Sequence, residues 1–466
     1  MIKSFVLHFI FIVFICVADN IRAQQVLTLK AAVDTAMANY GTLRAKAEYV
    51  NASRAALVQS RREYLPDLNI SAQQDYGTIN GQSGPLYGYR GLSASSGGPA
   101  LETQNWASAF GALYLANINW DFFSFGRVRE RINIARSQLA RDENDLEQEK
   151  FQHKIRVAAA YLSLLAAQRI SRSQDSNLQR ASGLRDVVVT RTKNGLNAGV
   201  DSSLANAEVS SAKIELVRAR DYEQEQANQL AQLLGITTQE FILDSLFITR
   251  IPAAISDSSG AILNDHPSLK YYRSLISVSD VQAKYYQTFY YPTFSLFGVI
   301  QGRGSGFKYN YGSQYPDAYS GKYFEGVSPK RGNYLTGIGL IWNLTTPLRV
   351  QQQIASQKFT SRALKDEYDL VDQQLKNQLK LADKKIYNAM QNYREAPVQV
   401  KAAGDAYMQK SVLYKNGLST IVDVTQALYA VNRAETDRDI AFSNVWQALL
   451  LKAAAIGDFG LFINEF

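Results

Sequence analysis

The sequence predicts a mainly α-helical chain with membrane β-strands: long antiparallel helical hairpins that build an α-barrel, joined to a β-barrel to which each chain contributes four strands. Three observations predict it. Two segments about ten residues long in each half alternate apolar and polar side chains; each pair is followed by a very long helical stretch; and the whole order occurs twice.

The beginning of the chain indicates export. Lys3 precedes an apolar run from Phe5 to Val17, and Ile21-Arg22-Ala23 ends in a small residue. This is the pattern of a secretory signal peptide over residues 1–23, cut after Ala23. The run is too short to remain as a membrane-spanning helix. The single cysteine, Cys16, follows the bulky Ile15 inside that run, which argues against a lipid anchor and leaves the mature chain cysteine-free.

Charge and motif content exclude several functions. The net charge is +8, but "RDENDLEQEK" and "RAETDRD" mix both signs, as solvated helix faces do. No basic block with interleaved aromatics points to nucleic acid. The histidines stand alone at 8, 153 and 266, so no metal site is expected. No glycine-rich phosphate loop and no nucleophile motif appear, so neither a cofactor nor a catalytic residue is expected.

The repeat sets the architecture. Pro66 and Pro292 lie 226 positions apart; Trp120 and Trp342, and Arg127 and Arg349, lie 222 apart. "KNGLNAGVD" (193–201) returns as "KNGLSTIVD" (415–423), again at 222. The halves are expected at residues 24–245 and 246–466. Each opens with a helical stretch (Leu27 to Glu63, Ala261 to Tyr290) that a proline stops.

In the first strand Leu68, Ile70, Ala72 and Tyr76 alternate with Asn69, Ser71, Gln73 and Asp75. In the second, Tyr114, Ala116, Ile118, Trp120 and Phe122 share a face. The second half repeats the scheme with Phe294 to Gln301 and Tyr334 to Leu344, across a loop through Gly332. Strands of this length suit a tilted membrane span. Four cannot close a barrel, and an open edge in lipid leaves backbone groups unsatisfied, so several chains have to pool their strands.

Long helices follow. Arg127 to Thr192 contains no proline, and Val128, Ile132, Ala135, Leu139 and Leu146 form an interrupted seam. At ~1.5 Å per residue it would reach roughly 100 Å. A return helix runs from about Asp201 to Leu234 with a small inner stripe of Ala205, Val209, Ala212, Leu216 and Ala219. Pro397, inside the second long helix, predicts a kink or local unwinding.

These residues resemble the TolC-like outer-membrane efflux proteins over nearly the whole mature chain. The likeness lies in the duplicated strand–loop–strand, in "NINWDFFSFGR" (117–127), and above all in "YKNGLSTIVDVTQA" (414–427). It implies a homotrimer in the outer membrane of a Gram-negative bacterium, with a twelve-stranded barrel, an α-helical tunnel crossing the periplasm, and loops 77–107 and 302–333 outside. It also implies partners: outer-membrane lipid, a periplasmic adaptor (membrane fusion) protein, and an inner-membrane pump of RND or ABC type. The chain would be the exit duct of a tripartite efflux or type I secretion system.

The two turns carry the candidate site. Gly195 and Gly417, each after a last helical turn, read as C-caps, and Asp201 and Asp423 as N-caps of the return helices. By resemblance, the turns Lys193, Asn194, Gly195, Leu196 and Lys415, Asn416, Gly417, Leu418 contact the adaptor. Asp423 matches a carboxylate ring at the closed entrance, and Asp201 and Tyr414 match a pair that holds it shut. The family's latch arginine falls on Ser419 here. Trp120 and Trp342 read either as ordinary strand packing or as a periplasmic interface belt, which their place at the strand ends suggests. The alternative for the whole chain is a secreted periplasmic coiled-coil scaffold without a transport role. A glycan-binding use of the Tyr-rich loops ranks last, since no paired-carboxylate site supports it.

Overall fold

The computed structural model describes residues 26–81, 98–244, 246–252 and 265–465. The expected signal segment, with Cys16, and the middle of the first loop lie outside the described residues. Helices α1 (Leu29–Asn39) and α2 (Gly41–Arg62) lead into strand β1 (Asp67–Thr78) and then β2 (Ser108–Phe123). Helix α3 (Arg127–Lys193), its return α4 (Gly199–Leu234) and the short α5 (Leu246–Thr249) follow. The second round comprises α6 (Pro267–Gln287), β3 (Thr293–Ser305), α7 (Tyr323–Val327) and β4 (Arg331–Ile341). It ends with α8 (Thr346–Lys415), α9 (Ile421–Ile456) and α10 (Gly460–Ile463).

The chain divides into two compact units. One holds Ala52–Leu139 and Ser277–Arg362, the other Met1–Asn51, Ala140–Ile276 and Ala363–Phe466. The first contains an antiparallel sheet in the order β1-β2-β3-β4. Its register lines up Ile70, Ala116, Ile300 and Tyr334 in one row and Asn69, Asn117, Val299 and Leu335 in the next. Successive side chains of a strand leave on opposite faces, so these rows belong to different faces. On the face of Ile70 no strand position holds Asp, Glu, Lys or Arg. Asp67, Asp75, Asp121, Arg303 and Arg331 all occupy the other. Ile70 is 83% exposed and Ile338, on the same face, 68%. This unit therefore presents a charge-free apolar wall that a water-facing sheet would not keep.

Each strand pair is stapled to the helix before it in the same way. The Trp120 indole N–H donates to the Tyr64 carbonyl at 2.8 Å, and that of Trp342 to the Tyr290 carbonyl at 3.2 Å. Arg127, at the strand-to-helix passage, donates to Thr293 Oγ1 at 3.1 Å and the Tyr291 carbonyl at 3.2 Å, and lies over the Phe289 ring.

Several boundaries differ from expectation. The first helical stretch breaks at Tyr40, whose backbone is extended and whose ring stacks on His153 at 3.8 Å. Strand β4 ends at Ile341 rather than Leu344, because its partner β3 begins opposite, at Thr293. The segment between β3 and β4 is no plain loop. It holds α7, which packs on the apolar face of the sheet: a Cβ on Gly304 would stand 2.5 Å from the Gly326 carbonyl oxygen, and one on Gly326 2.4 Å from Phe110 Cβ. Only glycine permits that approach.

The helical unit buries Tyr161, Trp446 and Phe462 in its main core. Tyr161 donates its hydroxyl to the Leu27 carbonyl at 2.8 Å and accepts the Asp244 N–H at 3.1 Å, and burial pushes its pKa up to about 12. All five residues of the small α4 stripe are buried, as expected of helices packed closely side by side. Helix α8 runs through Pro397 without interruption, so the predicted unwinding does not occur. A proline removes one N–H donor, and the bonded turns on either side hold the helix together, with Ala396 buried beside it. No described helix is long and apolar enough to cross a membrane.

Candidate gate at the helical tips

Both tips close by the same backbone device. At the first, Gly195 has φ 74° and its N–H donates to the Thr192 carbonyl at 3.0 Å, while Leu196 N–H reaches the Arg191 carbonyl at 2.9 Å. At the second, Gly417 has φ 77°, with the matching bonds to Tyr414 (3.0 Å) and from Leu418 to Leu413 (2.9 Å). This bond pair satisfies the last carbonyls of α3 and α8 and requires a left-handed residue, which glycine adopts without strain. Lys193, Asn194, Leu196, Lys415, Asn416 and Leu418 are all exposed.

The two aspartates are not N-caps. At the start of α9 the cap is Thr420, and Asp423 stands three residues in, completing a reciprocal capping box. Asp423 Oδ2 accepts the Thr420 N–H (3.1 Å), the Thr420 hydroxyl (2.8 Å) and the Ser419 hydroxyl (3.0 Å). Lys410 approaches Oδ1 at 3.4 Å. These donors, the Thr420 backbone first, hold the Asp423 carboxyl far below the usual carboxylate range. At the start of α4 the cap position is Ala198, which has no side-chain oxygen, so Asp201 in the first turn has no capping partner to complete.

Asp201 turns to another role. Asn197 Nδ2 donates to Asp201 Oδ2 at 2.7 Å and to the Tyr414 hydroxyl oxygen at 2.9 Å. The phenol and carboxylate are therefore joined through an amide rather than by a direct bond. Asn197 Oδ1 accepts from Arg191 Nε at 2.9 Å, which fixes the amide's orientation. Arg191 Nη1 then donates to the Lys415 carbonyl at 2.6 Å, and the guanidinium lies 5.7 Å from the Tyr414 ring centroid. A cation on the last carbonyls of a helix is favourable. Tyr414 itself is 3% exposed, packed among Leu184, Val188, Ala205, Ile421 and Val424. Burial first, and then the Asp201 charge, raise its pKa, so it stays a neutral phenol.

Arg191 and Asn197 were not singled out by the sequence, and Thr420 entered only as part of the 414–427 motif, with no role of its own. Thr420 had a signal, a hydroxyl three residues before an acid at a helix start. Arg191 and Asn197 had none. Ser419 stands where the resemblance implies an arginine, while Arg191 of the first tip reaches the Lys415 carbonyl of the second. Among the described residues no group of three or more His, Cys, Asp or Glu could hold a metal ion.

A depressed carboxylate makes a pH-independent charge. The stabilisation that the Asp423 capping box gives is complete above the ordinary carboxylate value of 3.8 and is lost only as pH falls through the lowered folded value. Asp423→Ala is accordingly expected to reduce cation preference in planar bilayers, by the same amount at pH 7.5 as at about pH 5. A wild-type preference that fades across this range, or a variant with an unchanged reversal potential and intact helix content, would leave Asp423 as a cap only.

Residues 32–236 match the family described as outer membrane efflux protein. Among solved structures the chain is similar to the outer-membrane channel OprN, with a TM-score of 0.74 at 17% identity over 93% of this chain and 90% of that one. For VceC, an outer membrane protein of Vibrio cholerae, the TM-score is 0.72 at 18% identity, over 92% of this chain and 96% of that one. For the CmeC outer membrane channel of Campylobacter jejuni it is 0.73 at 15% identity, over 92% and 85%. No curated protein matches the chain. The fold, then, is that of the outer-membrane channels. Residues 32–236 thus carry the match to the outer membrane efflux protein family that the TolC-like features implied. The family matched there is one of outer membrane efflux proteins, and the solved structures of like fold are outer-membrane channels.

Proposed function

We propose that the protein is the passive exit duct of a tripartite efflux or type I secretion system, working as a homotrimer. The observation that carries this reading is the open sheet. Strands β1 and β4 are its two edges, each paired on one side only, and its apolar face has no charge at any strand position. In lipid such edges have to be joined to other strands. Three copies supply twelve strands, with β4 of one chain beside β1 of the next. The tandem halves, 24–245 and 246–466, then contribute equivalent pairs, and Trp120 and Trp342 sit near the periplasmic boundary of the barrel.

In this reading the six tips of a trimer form the periplasmic entrance, where Asp201, Tyr414 and Asp423 act as gate residues. The exposed turns 193–196 and 415–418 receive a periplasmic adaptor, which links the duct to an inner-membrane pump of RND or ABC type. Equivalent apolar side chains support a docking role for both tips: Leu196 and Leu418 are 65% and 75% exposed, Val200 and Val422 66% and 54%. The scaffold alternative is disfavoured by the charge-free sheet face, which has no use in water.

Light scattering of the detergent-extracted protein tests the assembly. A particle of three mature chains is expected, insoluble without detergent. A stable monomer, or extraction by salt alone, would remove the barrel.

A further inference from the structure

Helix α7 lies on the wrong side of the sheet for a pore-lining loop. Gly304, which it touches, alternates with Ile300 on the charge-free face, and the Tyr323 hydroxyl donates to Gln74 Oε1 on that same face at 2.8 Å. The Tyr323 ring meets Phe110, also on that face, at 5.2 Å. Next to it Phe324 is 77% exposed. Lys322 pairs with Glu325 at 3.6 Å, and Lys330 lies within electrostatic reach of the same carboxylate. Two ammonium groups against one carboxylate leave a net positive charge beside an exposed apolar ring. The Lys330 ammonium donates to the Ser305 carbonyl at 3.3 Å, and an ammonium has three donors, which leaves capacity for a further anion.

We propose that α7 is a lipid clamp on the outside of the barrel: it seats the phosphate of a phosphorylated outer-leaflet glycolipid between Lys322 and Lys330 and sinks Phe324 among the acyl chains. The inference rests on the reading of the sheet as an outer-membrane barrel. Two observations commit the patch to lipid. It is continuous with the lipid-facing wall, through Gly304 and Ile300, and its charge is opposite to that of a phosphorylated headgroup. Aromatic rings at the rim of a barrel belong at the membrane interface, and lysines there bind anionic headgroups. In water the same helix would leave Phe324 exposed against solvent with no gain.

The mature chain has no cysteine, so one label can be placed at will. Full-length protein carrying a fluorophore at Phe324→Cys, Ile338→Cys or Tyr309→Cys is reconstituted in phosphatidylcholine vesicles with brominated acyl chains. Bromine is expected to quench positions 338 and 324 alike, while only position 309 yields to aqueous iodide. Quenching at 338 without 324 would overturn the clamp and keep the barrel; loss at both would overturn the barrel reading itself. Protection of 324 from both quenchers would mean that protein covers α7, which also overturns the proposal. With lipid A as the probe, Lys322→Gln with Lys330→Gln is expected to retain about tenfold less bound lipid. Equal retention would overturn the phosphate seat, as would displacement of the lipid by free inorganic phosphate.

Discussion

Asn197→Ala is expected to raise single-channel conductance in planar bilayers more than Tyr414→Phe or Asp201→Ala does alone. One amide group donates to both oxygens and accepts from Arg191, so its removal undoes three contacts at once. A hydrogen bond to a charged group contributes ~1.5–3 kcal/mol and a neutral one ~0.5–1.5. The side chains are only partly buried, so the lower ends apply. Their loss would shift the closed-to-open ratio by about tenfold per chain or more. The Tyr414→Phe and Asp201→Ala effects should combine to less than their sum, because each acts on the other through Asn197. Arg191→Lys separates charge from geometry: lysine keeps the cation but cannot offer two donors in a fixed plane, so conductance should still rise. Unchanged conductance in Asn197→Ala, with helix content intact, would mean that the network orders one tip against the other without restraining the gate.

The second large effect lies in the sheet. Ile300→Lys places a charge in the middle of the apolar wall, where the cost of lysine in a barrel is about 2–4 kcal/mol per chain. The detergent-resistant assembly should lose that stability, read as a lower urea midpoint or a failure to assemble. Asn69→Lys, one row away on the opposite face, should stay within about 0.5 kcal/mol of the wild type. Equal losses at the two positions would show that the faces are not lipid and lumen, and the membrane assignment would fall with them.

Strand chemistry and turn chemistry were legible in the sequence because both are local. Alternation along Leu68 to Tyr76 and Tyr114 to Phe122 already separates the faces, and a glycine after a long helix already demands a left-handed turn. Boundaries were less legible. The apolar period continues through Trp342 and Leu344, but pairing stops at Ile341, where the partner strand runs out. The caps were misread because Asp at a helix start serves equally well at the cap or three residues later; which it does is decided by Thr420 at one tip and Ala198 at the other. Asn197 and Tyr414 are separated by 217 positions, and no local pattern announces a bond at that range. Helix α7 was invisible for another reason. Five residues are too few for a helical period, and its position depends on two glycines that the sequence offers only as loop residues.

The Thr420 hydroxyl, which Ala198 lacks at the matching cap position, bears on how a ring of tips would move. Thr420 locks the first turn of α9, whereas Ala198 leaves the first turn of α4 without a side-chain cap, a difference of about 1 kcal/mol in the ease of fraying. In the proposed trimer, six turns that look alike in sequence would be three stiff posts alternating with three softer ones, which the Asn197 bond to Asp201 restrains. An entrance built this way is expected to dilate with threefold symmetry, the starts of α4 moving more than those of α9, and not as a sixfold iris.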